Sequence, residues 1–204
     1  MTSRTITTDA IGRCKAVPDF ASVKAVAIGD GDSANSARVV AKDRASALRE
    51  SVSNISANQI RTVDFQVKST DEMFDSIADA PYQATERLQI DCVPENVETV
   101  VADLTEAGGR IRNVQFQLHK DKRRELQDEA LNAAMERARK KADQMAASEG
   151  YVVNGVREAT TKEVSTGMES IVDEALASSP DKDLYPGPIT VAEAVEVVYE
   201  LVEE

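Results

Sequence analysis

Alternating apolar and polar residues predict a strand near the start of the chain. From Ile6 to Val17 the even-numbered residues are mostly apolar or small, which is typical of a strand with one buried face. Pro18-Asp19 then turns the chain, and residues 20–28 form a second predicted strand. Because this connection is short enough for a hairpin, we expect the second strand to pair with the first.

The period then changes to that of a helix. Either Asp32 or Ser33 is placed to cap a helix whose apolar positions recur every three or four residues, until the chain turns at Asn58. These positions are Ala37, Val40, Ala41, Leu48, Val52 and Ile55.

Two further strands follow, with an acidic loop expected between them at residues 69–81. Their alternating apolar positions are Val63, Phe65 and Val67 in the third strand, and Tyr82, Ala84, Leu88, Ile90 and Cys92 in the fourth.

A short helix, a fifth strand and a long helix come next. The short helix begins after Pro94 and ends at Gly108-Gly109, and the fifth strand runs from Ile111 to Leu118. The long helix spans 121–149, which corresponds to about 43 Å, and its buried stripe is almost entirely alanine. Small side chains permit close approach to a sheet or to another helix. The apolar residues are Val97, Val100, Val101 and Leu104 in the short helix, Val114, Phe116 and Leu118 in the strand, and Ala130, Ala134, Ala138, Ala142 and Ala146 in the long helix.

The chain closes with two strands separated by a linker. One strand runs from Tyr151 to about Val164, and residues 165–188 are expected to form a linker with one helical turn around 168–177. Pro186-Gly187-Pro188 precedes the last strand, whose apolar positions are Ile189, Val191, Val195, Val197, Tyr199 and Leu201.

This order predicts an α+β fold in which antiparallel strands pack on two shorter helices and one long alanine-rich helix, in the order ββαββαβαββ. We expect a single domain over residues 1–204. An alternative is two intertwined lobes, one of about 1–68 plus the C-terminal strand 188–202 and one of about 80–165.

The composition narrows the function classes. The chain has 204 residues, of which 42% are hydrophobic, and carries a net charge of -12. So acidic a body repels phosphate backbones, which disfavours nucleic-acid binding and also suits a high-salt cytoplasm. No window approaches the roughly 18 apolar residues of a membrane span, and the N-terminal residues lack the apolar core of a signal peptide. We expect a cytoplasmic protein.

Candidate chemistry is sparse, and we predict no catalytic, cofactor-binding or metal-binding residue. Cys14 and Cys92 lie on the apolar parity of their strands, which favours small buried side chains. A redox pair is the alternative hypothesis, since the two thiols come within bridging distance if those strands are neighbours. His119 follows a strand without a second histidine or a nucleophile nearby, so we expect a solvated turn residue.

Two charged motifs have structural explanations. Asp30-Gly31-Asp32 resembles the first half of a calcium loop, but later ligand positions do not fit, which favours a turn and a helix cap. The basic runs 120–124 and 137–141 are interleaved with acids, as in the Glu136–Lys140 pair, and lack aromatic platforms; they predict a solvated face rather than an RNA groove. Contact of these runs with the acidic C-terminal segment of a neighbouring subunit is a further hypothesis.

Several motifs in this order resemble the SIMPL domain family, long labelled a domain of unknown function, over residues 5–202. The residues that carry the resemblance are Pro18-Asp19, Tyr82 with Ala84, Leu88 and Ile90, Ala107-Gly108, Phe116, the helix Ala130 to Ala147, Gly150 with Val153 and Val156, and Pro186-Gly187 with 197–201. The chain departs from the family pattern at Pro81, at Glu86, where the family usually has Asn, and at Gly108-Gly109-Arg110.

The resemblance implies a self-associating or partner-binding module, because ring-like homo-oligomers occur among relatives, and it implies a link to stress tolerance. We therefore expect a non-enzymatic homo-oligomer with a protein partner. Two alternatives stay open: an enzyme whose site lies at a subunit interface, and a membrane-associated ring or pore.

Overall fold

The computed structural model describes residues 4–55, 59–69, 80–162 and 186–203. Within these ranges the element order confirms the predicted α+β class and the order ββαββαβαββ. The elements are β1 (Arg4–Ala16), β2 (Phe20–Gly31), α1 (Ala34–Ser51), β3 (Ile60–Ser69), β4 (Tyr82–Cys92), α2 (Val97–Glu106), β5 (Arg110–Gln117), α3 (Lys120–Ser148), β6 (Tyr151–Lys162) and β7 (Ile189–Glu203).

The strands form two antiparallel sheets, ordered β1-β7-β6 and β3-β4-β2-β5. The chain correspondingly divides into two compact units. Of the described residues, unit 1 comprises 4–17, 118–162 and 187–203, and unit 2 comprises 18–55, 59–69, 80–117 and 186. In this division β2, α1 and β3 fall with β4, whereas the two-lobe alternative grouped them with the C-terminal strand.

Unit 1 is one long helix lying on a three-stranded sheet. The alanine stripe of α3 is fully buried, as its four-residue spacing predicted, and it packs on Ala10, Val195, Val197 and Tyr199. Contact is close enough that a Cβ at Gly12 of β1 would lie 1.8 Å from the backbone oxygen of Ala130. Helix and strand therefore meet backbone to backbone at this point.

Unit 2 packs α1 and α2 on its four-stranded sheet. Leu48 and Val52 at the C-terminal end of α1 meet Val100 and Leu104 of α2 in a core that also contains Phe116. At the other end of α1, alanines again approach a strand glycine, because a Cβ at Gly29 would lie 2.3 Å from the backbone nitrogen of Ala41.

The helix ends are formed by the capping residues that the sequence predicts. Ser33, one of the two predicted caps, accepts a hydrogen bond from the Ser36 backbone at 3.1 Å, and the Ser36 hydroxyl accepts from the Ser33 backbone in return. Gly108 and Gly150 follow α2 and α3 with φ of +84° and +76°, the left-handed conformation that favours glycine.

The predicted hairpin between the first two strands is wrong. β1 pairs along its whole length with β7, from Arg4↔Leu201 to Ala16↔Ile189, and both edges of β2 are occupied by β4 and β5. A short connection makes a hairpin sterically available but does not select it. Here the partners from distant parts of the chain occupy the hydrogen-bonding edges.

The third strand is more exposed than its alternation suggested. β3 lies at the edge of its sheet, a register shift falls between Thr62 and Asp64, and Val63 and Val67 remain exposed. The predicted turn at Asn58, most of the acidic loop 69–81, most of the linker 165–188 and the helical turn at 168–177 lie outside the described residues. No helix in the described part of the chain is long and apolar enough to cross a membrane.

Candidate functional site

A groove of about 570 Å³ lies between α1 and the β3–β4 edge of unit 2. We call it the α1 groove. Three of its lining side chains are cationic and one is a carboxylate. It is lined by Arg38, Lys42, Ser46 and Arg49 of α1, Thr62 and Phe65 of β3, and Glu86 of β4.

The charged centre of the α1 groove is an ion pair that also binds a hydroxyl. Arg49 Nη2 lies 2.5 Å from Glu86 Oε1 and 2.7 Å from Thr62 Oγ1. Thr62 Oγ1 in turn lies 2.8 Å from Glu86 Oε1. Three elements, α1, β3 and β4, therefore converge on one carboxylate oxygen.

Glu86 is buried because of its position in β4. It shares the parity of Ala84, Leu88 and Ile90, which face the helices, and its side chain is only 7% exposed. A buried carboxylate requires a counter-charge and hydrogen bonds, since desolvation otherwise disfavours its charged form. Arg49, half-exposed at the end of α1, supplies the counter-charge.

The remaining cations follow from helix periodicity. Arg38, Lys42, Ser46 and Arg49 are spaced by four, four and three residues, so they lie on one face of α1. Arg38 Nη2 donates to Asn35 Oδ1 at 2.9 Å on the preceding turn. Within the described ranges, Lys42 has no hydrogen bond or ion pair. The arrangement offers positive charge and a hydroxyl beside the ring of Phe65, which suits an anion.

The sequence analysis singled out no site residue in this groove. One signal was present, because Glu86 falls on the apolar parity of the fourth strand and departs from the family pattern. A charge on a buried face implies a partner, but Arg49 is 37 residues away along the chain, and periodicity alone does not bring the two together.

The structure places the two cysteines in different sheets. Cys14 in β1 is half-buried against Leu118, Leu126, Ile189 and Val191, and Cys92 in β4 is buried in the unit 2 core. Burial, with a smaller contribution from Asp91, raises the pKa of the Cys92 thiol to about 11. Both thiols are free in the described part of the chain, and the neighbouring strands that a redox pair required do not occur.

His119 and the Asp30-Gly31-Asp32 motif lie at a helix start and at a strand end. His119 is exposed at the N-cap of α3, where its carbonyl accepts from the Arg123 backbone at 2.9 Å. Asp30 accepts from Gln83 Nε2 at 2.9 Å. The described residues contain no group of three or more His, Cys, Asp or Glu side chains that could hold a metal ion.

The second basic run is not simply a solvated face. Arg137 and Lys141 donate to the carbonyls of Ile11 and Asp9 on β1, at 2.7 and 2.6 Å. Arg139 donates to the Val153 carbonyl on β6 at 3.1 Å and to Asp143 at 3.0 Å. Because β1 and β6 are the outer strands of their sheet, these cations cover edge carbonyls of their own unit.

An exposed apolar pair lies on the same sheet. Val152 of β6 and Val202 of β7 are directly opposite in the strand register and are 45% and 44% exposed. We call these two residues the valine pair. Side chains opposite each other on antiparallel strands form a continuous apolar surface.

These features define an α+β protein with two antiparallel-sheet units, a cation-lined groove in unit 2 and an exposed apolar pair in unit 1. The model of the SIMPL family, described as "Protein of unknown function (DUF541)", matches residues 6–199, almost the whole chain. The chain belongs to the SIMPL family, as its motifs indicated. No curated protein matches it.

Proposed function

We propose that this SIMPL protein is a self-assembling interaction module in which the valine pair contributes to the contact between copies. The observation that carries the proposal is the exposure of two directly opposed valines on the paired strands β6 and β7. Large apolar side chains that adjoin one another on a surface favour association. The family resemblance supports assembly independently.

The cations of α3 disfavour one way in which two copies of the chain could associate, the addition of a strand along β1. Since Arg137 and Lys141 already bind carbonyls of β1, strand addition along that edge would have to displace them. Contact through side chains at the β6–β7 side leaves these bonds intact. The hypothesis that the basic run 137–141 binds a neighbour's acidic segment is correspondingly weakened, since Arg139 and Lys141 have partners in their own unit.

Light scattering coupled to size exclusion tests the proposal, in low salt and in molar KCl, because screening reduces repulsion between copies of so acidic a chain. We expect a discrete multiple of 22.1 kDa. Val152→Lys combined with Val202→Glu removes the apolar surface but keeps net charge and places opposite charges across the strands. This variant should shift the protein to a lower mass.

Val63→Lys combined with Val67→Glu is the matched control, because these valines are similarly exposed but lie on β3 of unit 2. The control should assemble as wild type does. The proposal is overturned if wild type is a monomer at both salt concentrations. If the valine-pair variant has the same mass as the control variant, the valine pair does not contribute to the contact.

Assembly at an interface also bears on the enzyme alternative. Carboxylates that converge in a pocket would favour an enzyme, but among the described residues the α1 groove supplies only Glu86, which is already paired with Arg49. We therefore propose binding rather than turnover. A stress-related protein partner, as the family resemblance implies, is sought by pull-down with the assembled wild type.

A further inference from the structure

We infer that the α1 groove binds a small organic anion, one that carries a phosphate or carboxylate group on an apolar or aromatic body. This goes beyond assembly and concerns unit 2 alone. The groove volume of about 570 Å³ falls in the range of small-molecule sites, about 300–1,000 Å³.

Arg49 is held in position to receive the anionic group. Its Nη2 atom donates to both Glu86 and Thr62. A guanidinium has five N–H donors, so those of Nη1 and Nε remain, and the structure shows no hydrogen bond to them from the described residues. A guanidinium fixed on one side presents a planar fork that matches a phosphate or carboxylate on the other.

Lys42 and Arg38 provide further positive charge one and two turns before Ser46, respectively, on the same face of α1. Glu86 neutralises Arg49, so these two cations give the groove an excess of positive charge. This excess stands out in a chain of net charge -12. Local cationic charge on an acidic body favours a small anion, whereas an extended polyanion would meet the repulsion of the remaining surface.

Phe65 favours a ligand whose anionic group is attached to an apolar body. Its ring lines the groove and packs against Ala37, Ala41 and Ala84, so it forms a fixed apolar wall. A bare inorganic anion would leave this wall in contact with water. An anion with an aromatic or aliphatic body covers it and gains the free energy of apolar burial.

Calorimetric titration at low ionic strength tests the inference with three probes: phenyl phosphate, benzoate and inorganic phosphate. We expect one of the two aromatic anions to bind at least about tenfold more tightly than inorganic phosphate. The stronger of the two identifies the anionic group. Chemical shifts of amide protons in α1, β3 and β4 should move with the same saturation curve.

Arg38→Gln combined with Lys42→Gln should weaken binding by about tenfold or more, because both spare cations are removed. The matched control is Lys68→Gln combined with Arg110→Gln, which removes one lysine and one arginine from exposed positions of unit 2 outside the groove lining. It should stay within about twofold of wild type, the effect expected of distant, screened charges.

Three results would overturn the inference. The first is that wild type binds none of the three probes. The second is that the groove variant binds the aromatic anion as tightly as the control variant does. The third is inorganic phosphate binding as tightly as both aromatic anions, which would exclude the role of Phe65. None of these results depends on the oligomeric state, so the inference and the assembly proposal fail separately.

Discussion

Unit 1 and unit 2 each place an alanine-rich helix face directly on a strand glycine, but they use the cations of that helix differently. In unit 1, Arg137 and Lys141 of α3 donate to carbonyls of the edge strand β1. In unit 2, Arg38 and Lys42 of α1 line an open groove, beside an Arg49 that is anchored to a buried carboxylate.

The difference shows that similar helices acquire different roles from what faces their charged residues. Where strand carbonyls lie within reach, the cations complete the hydrogen bonding of the sheet and stabilise the fold. Where α1 faces β3, an edge strand interrupted by a register shift, a groove remains and charge is left over for a ligand.

The glycine contacts should have the largest effect. A Cβ at Gly12 would lie 1.8 Å from Ala130 O, and one at Gly29 would lie 2.3 Å from Ala41 N; both are backbone atoms that cannot rotate away. We expect Gly12→Ala and Gly29→Ala each to lower the free energy of unfolding by about 3 kcal/mol or more, with the larger loss in unit 1. Urea denaturation followed by circular dichroism measures both.

Gly155→Ala is the control for the two glycine variants, because a Cβ at Gly155 of β6 would meet no atom within 4 Å. Its effect should stay below about 0.5 kcal/mol. Equal stabilities for Gly12→Ala and Gly155→Ala would contradict the close contact of helix and strand.

The next effect concerns pH and the buried thiol of unit 2. Burial raises the pKa of Cys92 from 9.0 to about 11, so the folded state keeps its proton while the unfolded state loses it. The resulting stabilisation is present below pH 9 and is lost as pH rises to about 11, on the order of 2 kcal/mol.

Cys92→Ala isolates this titration, because other groups that ionise in the same range are common to both proteins. The difference in unfolding free energy between wild type and Cys92→Ala should shrink from pH 9 to pH 11. The Cys14→Ala variant of unit 1 keeps Cys92, so it should lose stability over this pH range as wild type does. A difference independent of pH would show that the Cys92 thiol is not shielded.

Two of the arginine–carboxylate pairs, Arg49–Glu86 and Arg139–Asp143, compare a buried with an exposed interaction. Glu86→Gln keeps the shape of the side chain but leaves Arg49 without its counter-charge, and we expect a loss of about 1.5 kcal/mol in unfolding free energy. Asp143→Asn removes the charged partner of Arg139, and the side chains of Arg139 and Asp143 are 45% and 50% exposed. This substitution should lower the free energy of unfolding by less than about 0.5 kcal/mol. Equal losses in thermal or urea unfolding would argue against a buried charge in the α1 groove.

The smallest effects distinguish two buried hydroxyl groups. Thr8 of unit 1 donates to Ala138 O at 3.1 Å, whereas the buried Ser22 Oγ of unit 2 has no hydrogen-bond partner among the described residues. Thr8→Val should lower stability by about 1 kcal/mol, and Ser22→Ala should raise it by about 0.5 kcal/mol. A destabilising Ser22→Ala would show that its hydroxyl has a partner in solution.

Part of the site was within reach of the sequence. The helical spacing of Arg38, Lys42 and Arg49 is legible in the chain, and so is the parity that buries Glu86. Their convergence was not, because Thr62 and Glu86 come from two strands whose pairing includes a register shift. A shift of one residue reverses which face a side chain occupies.

By itself the sequence determined the order and type of the elements, the alanine stripe of α3 and the helix-ending glycines Gly108 and Gly150, and it limited the cap of α1 to Asp32 or Ser33. These depend on periodicity and on backbone preferences within a few residues, which are local properties. Only the tertiary structure decided that β1 pairs with β7 rather than with β2, and that Arg49 meets Glu86. Strand partners and buried ion pairs are selected by competition among distant segments for the same edges and the same core, and that competition is resolved only when the whole chain packs.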